Sequence, residues 1–383
     1  MKSFVYLTPG VFDKGGISRY CRFQIRALRD LFGQGAVSVL SLEPPRATGF
    51  EDAFPVDFAS LGSPLEGRAL FAAAAAAAAL RERPRVVWSA HLHLSVISHP
   101  LARALGAASV LNVYGTEVWS DVTRVRAATL GRADYVVSDC HNTRTYLAER
   151  GLRAAERTVV HWDCVDLERF SPGDPGDVLR RYGVPSPPPG GAPPMTVLTL
   201  GRMTPDTLYK GYDRLIEIFA RIPASAPIRL VLAGDGSRRA ELEARAHALG
   251  LTGRVHFTRS VAERDLPALY RACDVFSLVT HGGYAGGEGI PLTPLEAAAC
   301  GKPILVGDQD GSHEAVEDSV TGFVVHSFDL DAQRARVLEL AGDPSLRKRM
   351  GAAARARIER EHGYERFRGR VEELCTEMGL LSR

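Results

Sequence analysis

Short apolar runs alternate with helical segments along this chain, and the alternation occurs in two separate series. In the first series residues 3–7, 86–88, 109–113, 135–138 and 158–160 read as buried strands. Strands of this kind separated by helices imply parallel sheets built from βαβ units. The rhythm restarts at residues 195–200 and continues through 228–233, 254–257, 274–278, 303–306 and 322–326.

Between the two series lie residues 171–194, which hold eight of the 23 prolines, at 172, 175, 185, 187, 188, 189, 193 and 194. Proline cannot join a sheet interior and stiffens a spacer. The expected organisation is therefore α/β: a Rossmann-like domain over 1–170, a linker over 171–194, a second Rossmann-like domain over 195–360, and a helix over 361–383 packing back on the first domain. Both domains would be doubly wound and face each other across a cleft, with ligands outside the carboxyl ends of the strands.

The 383 residues exclude a single small module. Lys+Arg 47 against Asp+Glu 45 leaves a net charge of +2, which is no footprint for nucleic acid. The six cysteines (Cys21, Cys140, Cys164, Cys273, Cys300, Cys375) contain no CxxC pair, so reduced thiols are expected, not a disulfide or zinc framework. A strand-like run opens the chain where a secretory signal would show a basic and then an apolar region. The longest apolar run, 69–80, is 12 residues, too short to cross a bilayer. The expected location is the cytoplasm.

The loop after the first strand, Thr8-Pro9-Gly10-Val11-Phe12-Asp13-Lys14-Gly15-Gly16-Ile17-Ser18, opens a helix near Ile17. Paired glycines let backbone approach a ligand, and the N–H groups at a helix start favour an anion; an ordinary βα turn has the same look. It is not GxGxxG, and Gly234-Asp235-Gly236 completes none because residue 239 is Arg. A GxxxxGK[ST] loop is absent. Arg19, Arg22, Arg26 and Arg29 fall along one side of the following helix. They read either as a solvated face or as a basic surface meeting anionic lipid or a lipid diphosphate, through Arg19, Arg22 and Arg26.

In the second half, Gly201-Arg202-Met203 follows a strand, and Tyr209-Lys210-Gly211 precedes the next helix. Arg supplies a fork of donors and Lys a compact cation, a pair suited to a diphosphate at a strand end. Further on comes Glu288-Gly289-Ile290-Pro291-Leu292-Thr293-Pro294-Leu295-Glu296, running to Gly301. Thr293, Pro294 and Glu296 read as N-cap, N1 and N3 of a capping box, with Gly301 at C′. Glu288 has no such local role. It follows the glycine-rich Gly282-Gly283-Tyr284-Ala285-Gly286-Gly287, where a carboxylate can accept hydrogen bonds from sugar hydroxyls. The adjacent helix start can face phosphate oxygens.

Glu288-x7-Glu296, preceded by Gly201-Arg202 and Lys210-Gly211, resembles the family-4 retaining glycosyltransferases of GT-B fold. Leu232-Ala233-Gly234-Asp235-Gly236, residues 266–278, Gly301-Lys302-Pro303-Ile304, Gly15-Gly16 and Tyr114-Gly115-Thr116-Glu117 extend the likeness over nearly the whole chain. The resemblance implies a nucleotide-diphospho-sugar co-substrate, with a UDP- or GDP-sugar as donor, and no metal or other cofactor. It implies that Arg202 and Lys210 neutralise the diphosphate, Glu288 holds the sugar, Glu296 the ribose, and Gly15 and Gly16 approach the phosphates or sugar. Gly289, Ile290, Leu292 and Thr293 complete the donor set, and Tyr114, Glu117 and His91 are candidate acceptor or sugar contacts. The acceptor would be a hydroxyl of a glycan, a lipid-linked sugar or a small molecule. Removing a nucleoside diphosphate calls for electrostatic stabilisation more than for a nucleophile.

Three departures stand out. Tyr114 occupies a position where the family often has His, and a phenol is no acid at neutral pH. Pro291 replaces a common Gly and removes an N–H. Asp163-Cys164-Val165-Asp166 replaces the usual Asn-Gly-Val-Asp. His91-x-His93 has metal-ligand spacing but no third ligand nearby, so a packed pair is the favoured reading. Cys140-His141 is a poor nucleophile pair, since adjacent residues point apart in a strand. His281 and His313 line the donor site or are satisfied loop residues. Beside a transferase stand two alternatives, a nucleotide-sugar epimerase or hydrolase of this fold and a non-catalytic sugar-nucleotide-binding protein.

Overall fold

The computed structural model describes residues 3–13, 15–44, 56, 64–119, 122–186, 191–283 and 286–382. Lys14, Tyr284, Ala285 and prolines 187–189 lie outside the described residues. The chain divides into two units, Met1–Cys164 with Tyr364–Arg383, and Val165–Gly363. The division falls at 164/165 and 363/364, so the proline-rich stretch 171–194 belongs to the second unit and does not link the two. Within that stretch the short helix Val178–Arg181 is anchored by Arg181, which donates to Asp265 at 3.1 Å, and by the Tyr182 hydroxyl, which donates to the same carboxylate at 2.8 Å.

The first unit holds one parallel sheet of six strands: β1 (Phe4–Thr8), β2 (Val37–Ser41), β3 (Val86–Ser89), β4 (Ala108–Val113), β5 (Tyr135–Ser138) and β6 (Thr158–Val160). Their order is β2-β1-β3-β4-β5-β6. The sequence reading omits β2: its serines dilute the apolar run, yet all five residues are buried. Phe4 sits opposite Val37 on one side and Val86 on the other. Helix Gly16–Phe32 covers the sheet with Tyr20, Cys21, Ile25 and Leu28, and the final helix, Tyr364–Glu377, adds Phe367, Val371, Leu374 and Cys375 to the same core.

The second unit repeats the plan with β7 (Met195–Leu200), β8 (Ile228–Ala233), β9 (Val255–Phe257), β10 (Val275–Leu278), β11 (Ile304–Gly307) and β12 (Gly322–Val325), ordered β12-β11-β10-β7-β8-β9 and all parallel. Val197, Leu230 and Leu232 of this sheet pack with Ile216 and Phe219 of helix Tyr212–Arg221.

Strand order decides where each sheet opens. In the second unit the order reverses between β7 and β10, since β8 and β9 lie to one side and β11 and β12 to the other. Crossovers leave that edge on opposite faces, which opens a crevice at the carboxyl strand ends. The loop after β7 carries Arg202 and Lys210, and the loop after β10 carries Glu288. In the first unit the reversal falls between β1 and β3, beside the loops bearing Gly15–Gly16 and His91.

Gly211 closes the β7 loop at φ 70°, ending one 3-10 turn and starting helix Tyr212–Arg221. A Cβ there would stand 2.6 Å from the Val279 carbonyl oxygen. Gly211→Ala is expected to cost about 2 kcal/mol. Calorimetry should show the second unit melting at least about 4 °C lower; an unchanged transition would mean that the loop relaxes without strain.

Candidate active site

Arg202 follows β7 with its side chain 71% exposed, and its ion pair with Asp206 spans 3.5 Å. Such a surface pair is weak, which leaves the guanidinium available to an anion. Its backbone is fixed: the Thr207 hydroxyl donates to the Arg202 carbonyl at 2.8 Å. Thr204 and Thr207 form the capping box of the 3-10 turn Pro205–Lys210 that delivers Lys210.

The Lys210 ammonium donates to Oε1 of Glu288, and the two side chains are 13% and 22% exposed. The Tyr209 hydroxyl donates to the same oxygen at 3.2 Å. Burial and the Glu288 charge push the Tyr209 phenol well above its ordinary range, so it stays protonated and remains a donor. The Tyr209 carbonyl accepts the His281 N–H at 2.8 Å, tying the β7 and β10 loops together. The Tyr212 hydroxyl is buried close to Gly201 and has no partner among the described residues. Arg202, Lys210 and Glu288, which the sequence separates by up to 86 positions, thus lie on loops flanking one strand reversal. Two cations there can offset the charge of a diphosphate, and a partly buried carboxylate can accept hydrogen bonds from hydroxyls.

The helix after Glu288 starts earlier than the capping-box reading placed it. It spans Leu292–Ala299 with Pro291 at the N-cap and no side-chain cap. Pro291, at φ −74° and ψ 135°, itself breaks the chain direction. Thr293 and Pro294 then occupy the first turn, where a missing N–H costs nothing. Gly301 does stand at C′ with φ 74°, its N–H bonded to Ala298 and that of Lys302 to Ala297. With the helix starting at Leu292, Glu296 does not stand at N3; only 2% exposed, it accepts the Tyr270 hydroxyl at 2.7 Å. Gly289, Ile290, Leu292 and Thr293 lie on the stretch between the two glutamates, with Ile290 buried.

Thr207 and Asp310 escaped sequence reading, and Tyr209 is read there only as the neighbour of Lys210. Asp310, fully buried after β11, accepts the Glu288 N–H at 2.8 Å. His313 donates through Nδ1 to the Asp310 carbonyl at 2.6 Å, and His281 packs its ring 6.0 Å from that of Phe328.

In the first unit, Gly15 is the N-cap of helix Gly16–Phe32, at φ 155°. The arginines beyond it do not form the continuous basic surface of the lipid reading. Arg22 is buried and donates to the Val11 carbonyl at 2.7 Å; Arg26 lies over the Tyr364 ring at 4.0 Å. The Tyr114 hydroxyl faces the interior, where Asn112 donates to it at 3.0 Å. Glu117 accepts the Tyr114 N–H at 2.6 Å, and burial raises its carboxyl. His91 and His93 meet edge-on at 4.6 Å, and burial with nearby Arg126 drives the His91 imidazole down to about 4, leaving it neutral. Among the described residues no three metal-ligating side chains converge. Cys140 caps helix His141–Glu149 by accepting the Thr143 N–H, and His141 packs on Trp162 at 5.6 Å. Asp163 is buried, which raises its carboxyl to about 8. Among the described residues no helix is long and apolar enough to cross a membrane.

Two doubly wound parallel sheets with cations and a carboxylate at a strand reversal define a GT-B transferase architecture. The fold matches HepE of Anabaena in complex with UDP, at TM-score 0.81 and 20% identity over 98% of this chain and 100% of that one. It also matches sucrose-phosphate synthase from Thermosynechococcus elongatus, at TM-score 0.79 and 20% identity over 99% of each chain. Residues 192–357 match the model of the glycosyl transferases group 1. The GDP-mannose-dependent alpha-(1-6)-phosphatidylinositol monomannoside mannosyltransferase of Mycolicibacterium smegmatis is 36% identical over 271 residues, 67% of either chain. A GDP-mannose-dependent monoacylated alpha-(1-6)-phosphatidylinositol monomannoside mannosyltransferase of Corynebacterium glutamicum is 29% identical over 299 residues, 74% of either chain. The chain belongs to the group 1, family-4 type glycosyltransferases and transfers sugar from a nucleotide sugar.

Proposed function

We propose that this chain is a retaining mannosyltransferase that takes its sugar from GDP-mannose and delivers it to a hydroxyl of a lipid-linked glycan. The names of its relatives support the donor and the acceptor class. The carrying observation is the Lys210–Glu288 pair, which sets a cation and a sugar-binding carboxylate side by side between the β7 and β10 loops.

In this reading Arg202 and Lys210 grip the diphosphate, aided by the N–H groups at the start of helix Leu292–Ala299. Glu288 accepts hydrogen bonds from hexose hydroxyls. The bond from the anomeric carbon to the diphosphate oxygen breaks while the acceptor oxygen bonds to the same face. The acceptor's proton passes to the departing diphosphate, so no protein nucleophile is required. The charge that builds on the leaving group is what Arg202 and Lys210 stabilise. Glu296, sealed against Tyr270, serves the ribose only through a rearrangement; its packed state supports a positioning role.

A thermal-shift panel of GDP, GDP-mannose, UDP and UDP-glucose tests the donor. At a ligand concentration about 100 times Kd the stabilisation is about 2.7 kcal/mol, a rise of roughly 5 °C or more. GDP and GDP-mannose are expected to give that rise with or without EDTA. A response confined to the uridine pair would replace the base, and no response to any of the four would end the nucleotide-sugar reading.

A further inference from the structure

Glu288 lies in a glycine-rich stretch of sequence. Gly282, Gly283, Gly286 and Gly287 precede it and Gly289 follows. Glycine loses more freedom on ordering than any other residue, so an outside contact has to hold such a loop. Lys210 and Tyr209 grip the Glu288 carboxylate, but neither fixes the backbone from which that side chain projects.

Asp310 does. It lies fully buried just beyond β11, at the N-cap of the 3-10 turn Gly311–Ala315. Its two carboxylate oxygens serve two different segments. Oδ1 accepts the Ser312 N–H at 3.0 Å, within its own turn. Oδ2 accepts the Glu288 N–H at 2.8 Å, across 22 positions of sequence. A second bond returns the other way, from the Gly311 N–H to the Glu288 carbonyl at 3.0 Å. Glu288 is therefore clamped at both its N–H and its C=O by consecutive residues of the β11 loop. The approach is close: a Cβ on Gly287 would stand 2.7 Å from Asp310 Oδ2 and 3.0 Å from Asp310 Cβ.

We infer that Asp310 is a positioning residue for donor-sugar recognition, setting the backbone of Glu288 so that its carboxylate meets the hexose hydroxyls. The inference rests on the donor reading above and adds a residue that touches neither sugar nor phosphate. A buried carboxylate offers acceptors on both sides, and both are used here. An amide of the same shape has one acceptor and one donor. In Asp310→Asn one of the two backbone N–H groups, of Glu288 or Ser312, would face an N–H.

The test compares affinity for a nucleoside diphosphate with affinity for its sugar conjugate, using GDP with GDP-mannose and UDP with UDP-glucose. The sugar's contribution is the ratio of the two dissociation constants, and wild type is expected to favour one conjugate. Asp310→Asn should shrink that ratio by about tenfold, the scale of one lost charged hydrogen bond, and should leave the bare diphosphate within about twofold. A purely structural role would weaken both ligands together and lower the melting temperature without changing the ratio, and that outcome would overturn the inference. Should Asp310→Asn not fold, Gly287→Ala presses on the same joint from the loop side. It must reproduce the reduced ratio, and a wild-type ratio in that variant sinks the idea. Glu288→Gln separates the two readings. If it loses the sugar preference while Asp310→Asn keeps it, only the positioning inference falls; if neither loses it, the sugar role of Glu288 falls first.

Discussion

Lys210→Ala is expected to lower kcat/KM by about 10²–10³-fold, the loss seen when one preorganised donor to developing charge is removed. Two effects act together. The diphosphate loses a cation, and Glu288 is left as an unneutralised, largely enclosed carboxylate beside an anionic ligand. The second effect predicts coupling. In the Lys210→Ala, Glu288→Gln double variant part of the lost nucleoside-diphosphate affinity should return, because the repelling charge has gone. Isothermal titration with GDP reads this directly. Strict additivity would mean that the pair does not share one ligand, and unchanged GDP affinity in Lys210→Ala would place the diphosphate elsewhere. Arg202→Ala should cost less, about tenfold, since that guanidinium is solvated and weakly paired.

Glu288→Gln should lower kcat/KM roughly 100-fold while the melting temperature moves by less than about 2 °C. The loss corresponds to about 2.7 kcal/mol, the upper range for hydrogen bonds to a charged acceptor. Stability is spared because the backbone clamp from Asp310 and Gly311 is untouched, and the amide oxygen can still accept from Tyr209 or Lys210. Steady-state kinetics with scanning calorimetry on the same preparation decides it. A collapse in melting temperature with the activity loss would make Glu288 structural, and full activity would remove it from the site.

The strand rhythm was legible because parallel strands are buried on both faces and read as apolar runs, as at Phe4–Leu7 of β1 and Ile304–Val306 of β11. Where serine interrupts the run, as in β2, the signal faded. Arg202, Lys210 and Glu288 were legible because each stands in a glycine-marked loop beside a strand or helix start. What failed was local in form and tertiary in cause. Thr293-Pro294-x-Glu296 fits a helix start by itself, but Pro291 already turns the chain, and Tyr270 from another helix draws Glu296 inward. Arg22 follows the spacing of a basic face, yet the Val11 carbonyl takes it inside. Asp310 and Tyr209 carry no motif, because their partner is 22 and 79 positions away and only folding brings it near.

The first unit is built from both ends of the chain, with the second inserted between its parts. On the ribosome the inserted unit emerges whole and can close its own core as a contiguous segment. The earlier one stays incomplete, its core covered by helix Gly16–Phe32 but not yet by the final helix, until Tyr364–Glu377 brings Phe367, Val371 and Leu374 into place. Completion of the half made first thereby waits on a segment made after the inserted unit, and a chain cut short before residue 364 would leave part of the first unit's apolar core without its cover.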